Sequence, residues 1–225
     1  MRILVIQHDA DKGLGLFTPP LASHELDIQF AGHGEIGLSG HGAVIALPGV
    51  ANPDDATDAV DVTRDVLREA LQHGLPILGI CLGAELLAEA AGGVTGRCRP
   101  EWGYREVSLT ASGRNDHLLG DLPPQFEVFQ AHDYGFDLPP NAVALAHSPT
   151  ALQAFRVGDN AWGVQFHPEP TLAMLDGWTG ALGHVMEANG VDPEATRQLG
   201  RRYVPEWAGH AAAMGRRFAA VAVAA

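Results

Sequence analysis

The chain has 225 residues, of which 14 are Lys or Arg and 27 are Asp or Glu, so its formal net charge is −13. A chain with 46% hydrophobic and 18% charged residues can bury a core and fold as a globular protein. The acidic balance offers no basic surface to a phosphate backbone, so we expect no nucleic-acid partner.

The first apolar run, residues 3–6, is too short for a signal peptide or a membrane span, so we expect a cytoplasmic protein without a membrane partner. Two cysteines, Cys81 and Cys98, are too few for a disulfide scaffold. The eleven histidines are scattered without the spacing of a metal site. We therefore expect no metal, and no cofactor.

Strand and helix patterns alternate along most of the chain. Predicted strands cover 2–7, 26–30, 43–47 and 75–80. Predicted helices cover 84–91 and a segment that begins at the cap carboxylates Asp54 and Asp55 and ends at His73. This alternation predicts an α/β fold with an open, mostly parallel sheet and helices on both faces.

The middle of the chain differs, because turn residues separate strand-like segments at 104–109, 126–130, 152–157 and 161–166. Here we expect some antiparallel strands at one edge of the sheet. From residue 171 onward the pattern predicts helices, with breaks around Gly190 and Pro205. No linker interrupts the chain, so we predict a single domain over 1–225, with 190–225 as a C-terminal helical extension.

Cys81 lies between a predicted buried strand and a predicted helix, and the sequence there reads LGICLGAE over 78–85. Glycines two residues before and after the Cys permit a sharp turn that lifts the thiol from the sheet edge. The helix N-terminus favours the thiolate. Cys81 is a candidate nucleophile, the alternative being a buried structural Cys, and Cys98 has no such turn.

A second motif, GVQFHPE over 163–169, ends a predicted strand in His167. On extended backbone Glu169 faces the same way as His167, so its carboxylate can orient the imidazole ring. A Cys and a His held by a third group are what attack on an acyl carbon requires.

These residues resemble the class I glutamine amidotransferases, particularly the stand-alone branch similar to the glutaminase domain of GMP synthase. The specific matches are PILGICLG over 76–83 and GVQFHPE over 163–169, with looser matches at 101–104, 129–133 and 153–156. The resemblance covers residues 1 to about 180. It implies a flavodoxin-like α/β fold and hydrolysis of the glutamine side-chain amide.

Carried over, the resemblance implies that Cys81 is the nucleophile, His167 the acid and base, and Glu169 the residue that orients it. It also implies that the N–H groups of Leu82 and Gly49 form the oxyanion hole. In the Pro48-Gly49-Val50 turn a Pro replaces a family Gly, but the donor position remains Gly.

Two further residues are candidates for substrate binding. Glu85 stands where the amidotransferases usually have Gln, and γ-glutamyl hydrolases of the same superfamily can carry Glu there. We expect Glu85 to face the thiol's pocket, the alternatives being solvent or a pair with Arg97 or Arg99. His132 lies in the loop before the catalytic strand, where it lines the pocket or serves a surface hydrogen bond.

The predicted function is hydrolysis of the glutamine side-chain amide through a cysteinyl thioester, which releases ammonia and glutamate, with a separate synthase as a partner. The substrate is then a small molecule, glutamine or a γ-glutamyl compound. One alternative is a free-standing γ-glutamyl hydrolase or peptidase. Another is a non-catalytic regulator that keeps the fold, with Glu85 as a sign of drift.

Overall fold

The computed structural model describes residues 1–224, which form one mixed sheet flanked by helices. The strands are β1 (Arg2–Gln7), β2 (Glu25–Phe30), β3 (Ala43–Ala46), β4 (Ile77–Ile80), β5 (Thr95–Leu109), β6 (Gln125–Phe136), β7 (Ala142–His147), β8 (Leu152–Val157) and β9 (Ala161–Val164). The helices are α1 (Thr18–Leu21), α2 (Asp58–Gln72), α3 (Leu82–Ala90), α4 (Ala111–Arg114), α5 (Leu172–Ala181), α6 (Gly183–Ala188) and α7 (Pro193–Ala224), and a 3-10 turn (Gly15–Phe17) precedes α1.

The sheet has the strand order β2-β1-β3-β4-β9-β8-β7-β5-β6. Every pair from β2 to β9 is parallel, and every pair from β9 to β6 is antiparallel. The α/β prediction is confirmed, but the mostly parallel sheet is confirmed only in part. The reason is that short turns join β7, β8 and β9, and turns of that length permit only antiparallel neighbours.

Helices cover both faces of the parallel half. Along β1, Ile3 packs in one core cluster with Phe218 of α7, while the next residue, Leu4, packs in a second cluster with Leu67 of α2. All four side chains are fully buried. Strands buried on both faces explain the continuous apolar runs in the sequence.

Helix α2 begins later than the sequence indicates. Its N-cap is Thr57, whose hydroxyl oxygen accepts the Val60 N–H at 3.4 Å. The prediction that Asp54 and Asp55 cap this helix was therefore wrong. Asp54 instead accepts a hydrogen bond of 3.0 Å from the hydroxyl of Tyr134, which ties the loop before α2 to strand β6.

Helix α7 runs through Pro205, where a break was predicted. Pro205 is exposed, so the carbonyl that loses its N–H partner faces water. Val204 and Trp207, on either side, are buried against the sheet and hold both halves of the helix in line.

No helix within residues 1–224 is both long and apolar enough to cross a bilayer. The single-domain division of the chain stays a prediction.

Candidate active site

Cys81 occupies the predicted turn between β4 and α3. Its backbone angles are φ 51° and ψ −111°, a region that non-glycine residues adopt only under strain. A Cβ on Gly79 would lie 2.4 Å from the Gly83 carbonyl oxygen, and one on Gly83 would lie 2.1 Å from the Ala46 oxygen. The flanking glycines are therefore required, because backbone passes directly against backbone.

The Cys81 thiol is nearly buried, at 6% exposure. Burial raises its pKa well above the ordinary value, and the nearby carboxylates of Glu85 and Glu169 add to this effect. Hydrogen bonds from the Leu82 N–H and the Gln165 amide oppose the rise and are outweighed. The expectation that the helix N-terminus favours the thiolate is therefore not met, because burial and the two carboxylates raise the pKa of Cys81.

His167 follows β9 and lines the same cavity as Cys81. Its Nδ1 lies 2.8 Å from Oε1 of Glu169, which is fully buried. Its ring packs edge-on to Trp178, and its backbone N–H donates to the Phe129 carbonyl. The Nε2 atom is buried without a hydrogen-bond partner among the described residues, so it is the nitrogen left for proton transfer.

One cavity of about 130 Å³ brings the predicted residues together. Its walls include Cys81, Leu82, Glu85, Gly49, His132 and His167. Glu169 lies behind His167 rather than in the wall. Lys12, Trp102 and Trp178 also line the cavity, although none of them was predicted as a site residue.

Hydrogen bonds from His8 and to Asp9 hold the turn that carries Gly49 on both sides. The ring of His8 lies 3.1 Å from the Leu47 carbonyl through Nδ1, and Oδ2 of Asp9 accepts the Val50 N–H at 2.8 Å. A Cβ on Gly49 would lie 2.6 Å from Cδ2 of Leu82. His8 and Asp9 were not predicted as site residues, although their position directly after β1 is a signal that the sequence contains.

Glu85 points into the protein rather than to solvent, with 3% exposure. The Gln165 amide donates to its Oε1 at 2.9 Å and lies 3.8 Å from the Cys81 sulfur. Burial raises the pKa of Glu85, and the Gln165 hydrogen bond opposes this rise. The alternative pair with Arg97 is not formed, since Arg97 binds Asp133 at 2.9 Å.

His132 is also buried, at 4% exposure, which excludes the surface alternative. Its Nδ1 lies 2.8 Å from the Tyr134 carbonyl, and its Nε2 lies 3.4 Å from Oε2 of Glu101. Burial alone would lower its pKa, but hydrogen bonding with Cys98 and Glu101 outweighs burial and raises the pKa to about 9.

The chain matches the family model described as glutamine amidotransferase class-I over residues 24–176. It belongs to the class I glutamine amidotransferase family, as the two motifs predict.

Individual relatives agree with this assignment. The glutamine-hydrolyzing GMP synthase of Aeropyrum pernix is 38% identical over 121 residues, which are 50% of this chain and 23% of that protein. A subunit of the glutamine-hydrolyzing GMP synthase of Pyrococcus abyssi is 36% identical over 108 residues, which are 46% of this chain and 56% of that protein. The matched segments thus cover only part of the length of these relatives.

A solved structure extends the likeness to nearly the whole fold. A glutamine amidotransferase from Thermotoga maritima is 25% identical and superposes with a TM-score of 0.87, covering 97% of each chain. The antiparallel half and the C-terminal helices therefore belong to the shared architecture.

Proposed function

We propose that the protein hydrolyses the side-chain amide of glutamine through a cysteinyl thioester and releases ammonia and glutamate. One observation carries the proposal. A thiol on a strained turn shares a cavity with an imidazole whose far nitrogen is held by a buried carboxylate. In this proposal Cys81 is the nucleophile, His167 the acid and base, and Glu169 the orienting residue.

The proposed first half-reaction begins with transfer of the Cys81 proton to Nε2 of His167 as the sulfur attacks the amide carbon. The high pKa of the buried thiol supports a coupled transfer rather than a resting thiolate. The N–H groups of Gly49 and Leu82 stabilise the oxyanion, each worth about 10²–10³ in rate. The imidazolium then protonates the leaving nitrogen, ammonia departs, and the thioester remains.

In the proposed second half-reaction His167 takes a proton from water, which attacks the thioester carbon. Collapse of the intermediate breaks the carbon–sulfur bond, the sulfur recovers its proton from His167, and glutamate leaves. Glu169 stabilises the imidazolium in both halves. These steps consume one water per amide and use only groups of this chain.

Support for a synthase partner comes from the relatives, whose names describe a GMP synthase and one of its subunits. We propose that the chain acts as one domain in the cytoplasm and passes ammonia to a separate synthase. Both cysteines are free, which suits a reducing compartment.

A second candidate is a free-standing γ-glutamyl hydrolase. The observation in its favour is the buried carboxylate of Glu85 in the cavity wall, where the amidotransferases usually carry a neutral Gln. A carboxylate only accepts hydrogen bonds, so it attracts an α-ammonium and repels an α-carboxylate, which favours a γ-glutamyl compound whose charge pattern differs from that of free glutamine. Comparing ammonia release from glutamine with amine release from γ-glutamyl amides separates the two candidates.

The test of the proposed function is covalent labelling with a diazo-ketone analogue of glutamine, followed by mass spectrometry. We expect the label on Cys81, with Cys98 as the internal control. Cys81→Ala is expected to lose at least about 10³-fold in turnover without loss of fold, because the thiol makes the new bond. A label mainly on Cys98, or turnover by the Ala variant, would overturn the proposal and favour a non-catalytic role.

A further inference from the structure

The sequence contains one lysine, Lys12, and it lies in the wall of the cavity that holds Cys81. Only 10% of its side chain is exposed, although lysine side chains are almost never buried without a partner. Among the residues within 1–224 that line this cavity, Lys12 is also the one lysine or arginine. Taking an ammonium group out of water is costly, so its place in the wall requires an explanation beyond packing.

Two sets of contacts place Lys12 beside the proposed catalytic groups. Its Nζ lies 3.5 Å from Oδ2 of Asp9, the oxygen that also accepts the Val50 N–H in the turn after β3. The same Nζ lies 5.9 Å from the ring centroid of Trp178. The centroid of that ring is 5.4 Å from the centroid of the His167 ring. The ammonium group is therefore close both to the turn of the proposed oxyanion hole and to the indole that packs on the imidazole.

The loop that carries Lys12 is fixed against the two segments that hold the imidazole. The Trp178 indole N–H donates to the Asp11 carbonyl at 3.1 Å. The Leu16 N–H donates to the Glu169 carbonyl at 2.8 Å. Because both ends of the loop are held, the lysine keeps its place in the wall, and little ordering is needed when a ligand binds.

The Lys12 ammonium can take a further anion from the cavity. Its partners in the chain are Asp9 at 3.5 Å and Asp11 at 3.0 Å, and an ammonium group has three N–H donors. The Asp11 side chain is 57% exposed, so this ion pair contributes little stability. A carboxylate inside the cavity can therefore replace Asp11 or bind beside it.

The other basic side chains in the described part of the wall are already engaged. His167 is held by Glu169 at 2.8 Å and has the proposed role in proton transfer. The Nδ1 atom of His132 lies 2.8 Å from the Tyr134 carbonyl, and its Nε2 faces the Glu101 carboxylate at 3.4 Å. The lysine is therefore the cation that remains for an anionic group of the substrate.

We infer that Lys12 binds the α-carboxylate of the substrate, so that the site takes γ-glutamyl amides whose α-carboxylate is free. The inference rests on the proposed hydrolysis of such an amide at Cys81. An acid such as Glu85 in the same wall repels this group, so a cation is needed to hold it. Lys12 is a specificity-determining residue, because it binds the substrate and takes no part in bond making or proton transfer.

The first test compares KM and kcat for glutamine and for 4-aminobutanamide, which is glutamine without its α-carboxylate. Lys12→Met is expected to raise KM for glutamine about 10- to 100-fold with little change in kcat, because one charge-assisted hydrogen bond is lost. Hydrolysis of 4-aminobutanamide should be unchanged. Lys12→Arg keeps the positive charge and should retain part of the preference for glutamine.

Two further variants serve as controls. Asp11→Asn removes the competing carboxylate and should lower KM for glutamine by up to about fivefold. Arg68→Met removes an exposed cation of α2 that lies outside the cavity wall, and it should change neither substrate's KM. An unchanged KM for glutamine in Lys12→Met, or equal losses with both substrates, would overturn the inference, since equal losses would mean that the lysine only supports the loop.

The second test needs no turnover, so it separates this inference from the proposed function. Because Lys12 is the only lysine, carbon-13 NMR of Cys81→Ala protein labelled at lysine Cε gives one lysine signal, which needs no assignment. Glutamine is expected to shift this signal, and 4-aminobutanamide at the same concentration is not. An unmoved signal at saturating glutamine, or equal shifts with both compounds, would overturn the inference even if glutamine is hydrolysed. A shift with glutamine alone would support it even if the wild-type protein hydrolyses no glutamine.

Discussion

The two halves of the sheet differ in what they contribute to the cavity. The parallel half supplies residues that directly follow strand ends. Gly49 follows β3, Cys81 follows β4 and His167 follows β9, and His8 and Asp9, which hold the turn of Gly49, follow β1. The antiparallel half supplies residues from within strands, Trp102 on β5 and His132 on β6. The carboxyl ends of parallel strands gather at one edge, so the proposed bond-making groups meet there. The antiparallel strands β5 and β6 add a wall that contributes to the shape and polarity of the cavity.

This division predicts that changes at the strand ends of the parallel half lower kcat, whereas changes in the antiparallel half alter KM and substrate choice. The largest effect after loss of the thiol should come from His167. His167→Asn is expected to lower kcat for glutamine by about 10²–10⁴-fold, because the imidazole moves a proton in both half-reactions. Steady-state ammonia release measures it.

Glu169→Gln should lower kcat less than His167→Asn does. It keeps the shape of the side chain but removes the charge that stabilises the imidazolium, so we expect a smaller loss than in His167→Asn. Wild-type kcat in the His167 variant would point to another base and break the comparison between the two halves.

Gly49→Ala should have the next largest effect on kcat. Its Cβ would lie 2.6 Å from Leu82 and 3.0 Å from His8, so the turn must move and carry the proposed oxyanion donor with it. We expect kcat to fall about 10²–10³-fold with a modest change in KM. Gly177→Ala is the control, because a Cβ there has open space within helix α5. If both glycine variants lose activity alike, the effect lies in folding rather than in the oxyanion hole.

Glu85→Gln tests the cavity wall with a smaller expected effect. Removing the carboxylate ends its repulsion of the substrate α-carboxylate, so kcat/KM for free glutamine should rise, measured without any partner protein. Unchanged or lower kcat/KM would contradict repulsion of the α-carboxylate by Glu85.

Trp102→Phe should have the smallest effect. The indole N–H is buried at the cavity and has no partner among the described residues, so it is available to a substrate oxygen. Losing one neutral hydrogen bond should raise KM for glutamine by about two- to tenfold at constant kcat. A fall in kcat instead would mean that β5 contributes to the chemical step, which would contradict the proposed difference between the two halves of the sheet.

The parallel half was also the easier half to predict from the sequence. β1 was predicted with its observed bounds, and β3 to within one residue, because strands buried on both faces leave unbroken apolar runs between turns. In the antiparallel half β8 was predicted with its observed bounds, but β7 was missed, and β5 and β6 are much longer than predicted. Residues 95–100 of β5 are polar and mostly exposed, so no hydrophobic period marks the strand there.

The candidate site divides in the same way. Cys81 and His167 carry local signals, a pair of glycines and a strand-end motif, and the structure brings both to one cavity. Lys12 carries none, and Glu101 and Trp102 lie only in the looser family match over 101–104. The place of Glu101 and Trp102 in or behind the wall depends on pairing between distant strands. The roles of the site residues stay predictions until the variants above are measured.

The burial of the Cys81 thiol and its raised pKa have a consequence for chemical durability. Peroxides and small electrophiles attack thiolates, so a buried sulfur with a raised pKa is a poor target for them. Partly exposed Cys98 should consume such reagents first, although only Cys81 should react with a glutamine-shaped one. The fold thereby shields the proposed nucleophile from damage while leaving the cavity open to the molecule that fits.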